Sequence, residues 1–383
     1  MKTLGATTIL LILSLISFVF PAAPGVTAQP ASANSATGPS VAVLDKSPVL
    51  SETITVKLGN RKVAVNLVRV KLADSRVEVR VGLGQDRVGG TEELLGLARR
   101  KGAIAAITGT FFEAYTNGEI KDPLGTLITG GKLVHIGDTG TVFAITATKE
   151  VRMEPVRFRI IGATDGSYGW PHDWYAYWIN HAPASPTSDH AVIYTPARGD
   201  TTGAVGGASV VVQGGRVTRS GSGEQAIPKD GYVLNFQGSD LHLASRFQLG
   251  TTVEYLVTFQ DGSPLSKFWA DAQEGLGAGP KLVADGKVVY STESAKAEGF
   301  TDPRILSSSC ERSALGLNAR GDLLMVTVTS ATMGELAQVM QSLGAVEAMN
   351  LDGGASSGLV YNGKYITQPG RKISNALLVF LSN

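Results

Sequence analysis

The stretch "ITVKLGNRKVAVNLVRVKLAD", residues 54–74, indicates the fold class of the chain. Apolar and polar residues alternate on both sides of Gly59 and Asn60, a pattern that predicts two half-buried strands joined by a tight turn. The run "LLMVTVTS", residues 323–330, is apolar enough for a buried central strand. Other hairpin-like patterns around glycine-containing turns lie at residues 126–136, 208–218, 281–290 and 359–367.

Two segments have helical periodicity. Residues 91–102, "TEELLGLARRKG", begin with a threonine suited to an N-cap and end on Gly102. In residues 332–344, "TMGELAQVMQSLG", Thr332 and Glu335 have the spacing of a capping box. With so few helices, we predict an α+β fold: a single β-rich domain of mixed sheets with few packed helices.

The N-terminus has the layout of a secretory signal peptide. Lys2 precedes an apolar run at residues 9–20, and "GVTAQP" offers a cleavage point after Ala28. We therefore predict a signal peptide at 1–28, a flexible linker at 29–48 and one domain at 49–383. The mature chain is expected to be secreted or extracytoplasmic, with no membrane span.

Composition narrows the class of partner. The net charge is +1 and charged residues make up 17% of the chain. This argues against nucleic acid as the main partner, because binding a phosphate backbone favours a basic surplus. The single cysteine cannot form an intrachain disulfide. An exported protein without disulfides is typical of a bacterium's exterior.

The stretch "MNLDGGASSGL", residues 349–359, carries the clearest chemistry. Asp352 follows a predicted strand, and the amides of Gly353 and Gly354 with the hydroxyl of Ser356 are suited to holding an anion. An ordinary Asp-Gly turn accounts for the same residues. Both interpretations are open at the level of sequence.

Further polar residues lie at the ends of predicted strands. Arg312 and Arg371 each precede an apolar strand, and a guanidinium fork matches a phosphate group. Thr108 and Thr110 are positioned to line a polar pocket, and Glu113 offers a second carboxylate. The alternative interpretation is that both arginines are solvated charges at strand ends, that the threonines are ordinary strand residues and that Glu113 is solvated.

No sequence motif indicates a cofactor. The five histidines lack the spacing of a zinc site, and nucleotide-binding and nucleophile-elbow motifs are absent. A divalent cation remains open, because oxygen-ligand sites leave weak traces in a sequence. The aromatic segment "YGWPHDWYAYWINHAP", residues 168–183, either covers a core or forms a sugar-stacking wall.

Six segments in order resemble the phosphodiester glycosidase family, over about residues 50–383. The most specific is "MNLDGGASSGL", which is similar to the family's N-L-D-G-G-x-S-S. Thr108, Gly109 and Thr110 stand where the family commonly has Asn-Gly-Gly, which leaves the identity of the sugar open. The other five segments are "AITGTFF" (106–112), "DPLGTLITGGKLV" (122–134), "GLGAGPKLVADGKVV" (275–289), "ERSALGL" (311–317) and "GRKISNALLVF" (370–380).

The resemblance implies hydrolysis of the glycosidic bond of a sugar-1-phosphodiester, in cell-envelope or extracellular glycans such as exopolysaccharide. Asp352 then serves as base or nucleophile, with Glu113 as the alternative carboxylate. Phosphate is expected to meet Arg312, Arg371, the amides of Gly353 and Gly354, and the hydroxyl of Ser356. Sugar hydroxyls, or Asp352 itself, are expected to meet Asn350, Thr108 and Asn375.

Two other functions fit the sequence. One is a non-catalytic polysaccharide-binding protein of the cell envelope that uses the aromatic segment. The other is a metal-dependent phosphodiesterase that cleaves at phosphorus, although no His/Asp metal motif supports it.

Overall fold

The computed structural model describes residues 47–182 and 188–382. The predicted signal peptide at 1–28 and nearly all of the predicted linker at 29–48 lie outside these residues. The described part belongs to one compact unit, Ser47–Asn383. Within it, no helix is long and apolar enough to cross a membrane.

Strands dominate the described residues, as the alternating patterns predict. In chain order they are β1 Val49–Leu58, β2 Arg61–Lys71, β3 Val77–Leu83, β4 Ala105–Thr108, β5 Leu127–Thr129, β6 Lys132–His135, β7 Thr141–Thr146, β8 Val151–Glu154, β9 Phe158–Thr164, β10 Asp173–Ala176, β11 Trp178–Ile179, β12 His190–Tyr194, β13 Ala208–Gln213, β14 Arg216–Ser222, β15 Gly231–Gln237, β16 Val253–Phe259, β17 Ala272–Ala278, β18 Lys281–Ala284, β19 Lys287–Val288, β20 Cys310–Asn318, β21 Asp322–Ala331, β22 Ala345–Asn350, β23 Leu359–Tyr361, β24 Lys364–Thr367 and β25 Asn375–Leu381.

The helices are short and few. They are α1 Leu94–Lys101, α2 Lys267–Asp271, α3 Thr292–Ala297, α4 Pro303–Leu306 and α5 Met333–Ser342. Single 3-10 turns lie at Gly84–Asp86, Pro196–Arg198 and Gly354–Ser356, with a longer 3-10 segment at Gly238–Arg246. The predicted β-rich α+β class is therefore confirmed.

Across residues 47–182 and 188–382 the strands form five sheets. The largest has seven strands in the order β1-β2-β21-β20-β22-β18-β19, and a five-stranded sheet has the order β24-β23-β4-β25-β3. The others are β6-β5-β17-β7-β8, β11-β12-β15-β13-β14 and β10-β9-β16. Neighbouring strands are antiparallel except for the parallel pair β11 and β12, so hairpins and long-range antiparallel pairs build the fold.

The hairpin predicted at residues 54–74 is present. β1 and β2 pair antiparallel, with Leu58 opposite Arg61 across the Gly59–Asn60 turn. β21, predicted as a central strand, lies between β2 and β20. Local alternation therefore predicted this part of the largest sheet correctly.

The two predicted helices differ in how well their starts were placed. In α5, the Thr332 and Glu335 side chains form the predicted capping box, and the apolar face packs on the seven-stranded sheet. α1 stops at Gly102 as predicted, with Gly102 as a left-handed C-cap after Lys101, but it begins at Leu94 with Glu93 as N-cap. The predicted start at Thr91 was wrong, because residues 91–93 remain outside the helix. The short helices α2, α3 and α4 were not predicted.

The aromatic segment contributes both to a core and to the surface. Trp174 is buried against Phe247 and Tyr255. Trp170 is 84% exposed and Tyr177 is 44% exposed. Neither of the two interpretations of this segment therefore accounts for all of its rings.

Candidate active site

Three chain segments distant in sequence meet beside Asp352. The Asp352 amide donates to the carbonyl of Gly109, just after β4, at 3.0 Å, and the Gly109 amide donates to the carbonyl of Asn375, at the start of β25, also at 3.0 Å. A Cβ at position 109 would lie 2.0 Å from the Asn375 side-chain oxygen. Glycine is therefore required at position 109 for this close approach.

The carboxylate of Asp352 has local partners that fix its position. Its Oδ1 accepts from the Gly353 amide at 2.9 Å, and the Ser356 side chain also forms a hydrogen bond with it. Residues Gly354–Ser356 form a 3-10 turn, with Gly354 at φ +56°. The tight turn thus lies just after the Asp352–Gly353 pair on which the turn interpretation rested, and its Ser356 helps to hold the carboxylate in place.

Burial changes the acidity of Asp352. Although the residue keeps some contact with solvent, the surrounding protein disfavours the ionised form and raises its pKa from 3.8 to about 7. The hydrogen bonds from Ser356 and Gly353 and the charge of Arg371 act in the opposite direction. A carboxyl group that titrates near neutral pH can exchange a proton with a substrate or a water molecule.

Arg371 is the cation whose charge acts on Asp352. Its guanidinium lies 4.7 Å from the ring centroid of Tyr115, and Nη2 donates to the Tyr115 hydroxyl at 2.7 Å. Tyr115 is 78% exposed. A half-buried arginine stacked on an exposed ring is held in position while part of its fork still faces solvent.

Arg312 lies next to the site, but its guanidinium is largely committed elsewhere. The side chain is buried, and its Cδ lies close to Gly353. Nε donates to the carbonyl of Ala331, and Nη2 donates to the carbonyls of Arg304, Ile305 and Ser308. Burial lowers the pKa of Arg312. The geometry shows an arginine that ties α4 to the sheet, rather than one with its whole fork open to a phosphate.

Two buried oxygens near Asp352 have no hydrogen-bond partner within residues 47–182 and 188–382: Thr110 Oγ1 and Asn350 Oδ1. The other polar atoms of these residues are engaged, since the Thr110 amide donates to Asn375 Oδ1 and Asn350 Nδ2 donates to the Gly279 carbonyl. Buried polar atoms are almost always hydrogen-bonded. Both oxygens therefore have the capacity to bind water or a ligand hydroxyl group.

The remaining predicted residues occupy less distinctive positions. Thr108 is buried at the end of β4, opposite Ala376. Glu113 is exposed, and its carboxylate forms no hydrogen bond or ion pair with any described residue. The Gly353 amide points to Asp352, which leaves it unavailable for a phosphate oxygen.

Metal ligands are not clustered in the described part of the chain. Across those residues, no group of three or more His, Cys, Asp or Glu side chains could hold a metal ion.

The family model for phosphodiester glycosidase matches residues 206–380. This chain carries a phosphodiester glycosidase family domain. The match includes Arg312, Asp352 and Arg371. The segments 106–112 and 122–134, which also resemble the family, lie outside the matched range. A backbone hydrogen bond between Asp352 and Gly109 nevertheless connects segment 106–112 to the matched residues.

Solved structures share the fold of this chain. A hypothetical protein from Synechocystis has a TM-score of 0.76 at 23% identity, covering 88% of this chain and 62% of its own. A protein from Burkholderia pseudomallei that is named as an exported protein has a TM-score of 0.68 at 22% identity. The alignment covers 83% of this chain and 74% of the Burkholderia chain. This chain thus spans less than two thirds of the Synechocystis protein.

A more distant likeness is to the zebrafish N-acetylglucosamine-1-phosphodiester alpha-N-acetylglucosaminidase catalytic domain. Its TM-score is 0.47 at 16% identity, and the alignment covers 88% of this chain and 85% of that domain. No curated protein matches the chain in sequence.

Sequence reasoning missed two residues beside the candidate site of this phosphodiester glycosidase family domain. Tyr115 positions Arg371 but is separated from it by 256 residues, so no local pattern pairs them. Arg304 has a pKa raised chiefly by its hydrogen bond with Asp302 and slightly by Tyr115, which places a further cation near that ring. An exposed tyrosine two residues after Glu113 was the available signal.

Proposed function

We propose that the protein is a secreted hydrolase that cleaves the glycosidic bond of a sugar-1-phosphodiester in cell-envelope or extracellular glycans. The observation that carries this proposal is Asp352. It is a carboxyl group with a pKa raised to about 7, next to the charge of Arg371, inside a phosphodiester glycosidase family domain. A general base is most effective when its pKa lies near the working pH.

In the proposed reaction, water adds to the anomeric carbon and the bond between that carbon and the phosphate oxygen breaks. The phosphodiester leaves as a phosphomonoester, and the proton of the attacking water passes to the ionised Asp352. Because phosphate is a good leaving group, the reaction depends mainly on charge stabilisation of the departing oxygen.

Arg371 is the side chain best placed to bind the departing phosphate. Its contact with Tyr115 engages Nη2 and orients the planar fork, and such a fork binds phosphate oxygens bidentately. Arg312 is instead held by hydrogen bonds to backbone carbonyls, so it fixes the backbone around the site. We therefore assign phosphate binding to Arg371 and positioning to Arg312.

Sugar recognition is assigned to the two unpartnered oxygens. Thr110 Oγ1 and Asn350 Oδ1 are both buried and can accept hydrogen bonds from sugar hydroxyls. Asn375 orients the Thr110 backbone, and Thr108 lies at the same strand end. Glu113 remains a second carboxylate that could reach the substrate from the surface.

Hydrolysis of alkyl sugar-1-phosphodiesters in oxygen-labelled water tests the proposal. Attack at carbon puts the label in the released sugar, which is the expected result. Label in the phosphate would instead support a metal-dependent phosphodiesterase. Binding of a glycan without turnover would support the polysaccharide-binding alternative.

A further inference from the structure

A groove of about 570 Å³ lies on the aromatic segment, and Asp352 is not among the residues that line it. We call it the aromatic groove and define it by Tyr175, Tyr177, Trp178, Asp138, Arg159 and Gln260. Its size falls within the range of about 300–1,000 Å³ that is typical of small-molecule sites.

The rings of the aromatic groove are held in place. Tyr175 and Tyr177 lie 5.3 Å apart, and both hydroxyls donate to Oδ1 of the buried Asp240, at 2.6 and 3.4 Å. Because one carboxylate accepts from both hydroxyls, the two hydroxyls are engaged within the protein and the rings are held in a fixed arrangement. Tyr177 is nevertheless 44% exposed, and an exposed aromatic residue that is held rigidly can stack on a ligand at little entropic cost.

The polar side chains of the groove are of mixed character. Asp138, Arg159 and Gln260 are all exposed, and together they supply an acceptor, a donor and a group that does both. Arg157 also lines the groove, but its guanidinium donates to the carbonyls of Gly140, Val156 and Glu298. The carboxylate of Asp138 and the guanidinium of Arg159 carry opposite charges, so the groove is a poor match for a polyanion.

We propose that the aromatic groove is a binding site for a neutral saccharide chain. A pyranose ring has an apolar C–H face and a rim of hydroxyl groups. The tyrosine and tryptophan rings can stack on the C–H face. Asp138, Arg159 and Gln260 can form hydrogen bonds with the hydroxyl groups. A purely apolar ligand would leave these three polar groups unpaired, at a cost in free energy.

The groove lies close to the candidate active site without being part of it. A Cβ on Gly137, which lines the groove, would come within 2.7 Å of Gly125, and a Cβ on Gly125 would come within 2.2 Å of Thr110 Oγ1. The backbones of two glycines therefore stand between the groove and Thr110. Saccharide binding in the groove does not require hydrolysis at Asp352.

Isothermal titration of the full mature protein with cellohexaose, maltohexaose and chitohexaose tests this site. We expect at least one of these probes to bind, and Tyr177→Ala or Arg159→Gln to weaken that binding by about tenfold or more. Trp170→Ala is the matched control, because Trp170 is 84% exposed in the same segment but does not line the groove. Its affinity should equal that of the wild type.

Asp352→Asn separates this proposal from the proposed hydrolysis, since it should keep the affinity for the probe saccharide. The proposal is overturned if none of the three probes binds at millimolar concentration. It is equally overturned if the folded Tyr177→Ala and Arg159→Gln variants bind like the wild type, or if Asp352→Asn abolishes binding.

Discussion

Replacing Asp352 by asparagine separates the role of its charge from that of its shape. Asparagine keeps an oxygen that can accept from the Gly353 amide and resembles a protonated aspartic acid. It cannot ionise, so it cannot take a proton from water. We expect the variant to fold and to lose about a hundredfold or more in kcat/KM on a sugar-1-phosphodiester.

The same substitution should increase stability at alkaline pH. The folded-state pKa of Asp352 is raised from 3.8 to about 7, so the stability associated with its protonated form is present below about pH 4 and is lost as pH rises through 7. A shift of this size corresponds to at most about 4 kcal/mol. Because the residue keeps some solvent contact, we expect roughly 2 kcal/mol.

The assay pairs kinetics with urea unfolding at pH 5 and pH 8. Wild-type kcat/KM should fall as pH drops below about 7, because the base becomes protonated. Asp285→Asn is the matched control, since Asp285 is an exposed aspartate that also precedes a glycine, in the turn between β18 and β19. It should alter neither turnover nor stability. A folded Asp352→Asn protein with near wild-type turnover would refute the catalytic role and leave the residue as part of a turn.

Other variants test the remaining roles. Arg371→Lys should lower kcat/KM by about tenfold or more, because a point charge replaces a fork held on Tyr115; equal activity would argue against phosphate binding there. Arg312→Lys should lower the free energy of unfolding by about 2 kcal/mol, since one ammonium cannot serve four backbone carbonyls, and unchanged denaturation midpoints would contradict this. His135 and His190 are buried with pKa values lowered to about 4, chiefly by desolvation. Their neutral forms therefore stabilise the fold above about pH 6.5, and this stability should be lost as pH falls toward 4. In an Asp352→Asn background, His190→Gln should reduce the slope of the unfolding free energy against pH between about pH 6.5 and pH 4. An unaltered slope would exclude His190 as a cause of the acid-induced loss of stability.

Local features of the chain were predictable because their causes act over a few residues. The β1–β2 hairpin follows from alternation around Gly59 and Asn60, and the start of α5 follows from the Thr332–Glu335 capping box. The family resemblance was likewise carried by short ordered segments. The start of α1 was misplaced because Thr91 looks like a cap, whereas Glu92 pairs with Ile373 in an antiparallel bridge and the helix begins only at Leu94.

The sequence by itself determined the β-rich class, the main hairpins, one helix cap and the candidacy of Asp352. Only the tertiary structure decided that Arg371 rests on Tyr115, that Arg312 is occupied by backbone carbonyls and that Asp352 titrates near neutral pH. The physical reason is that alternation and capping act between near neighbours in the chain. Arg371 meets a partner 256 residues away, and Arg312 meets carbonyls that lie outside its own strand. The desolvation of Asp352 likewise depends on chain segments that only packing brings together.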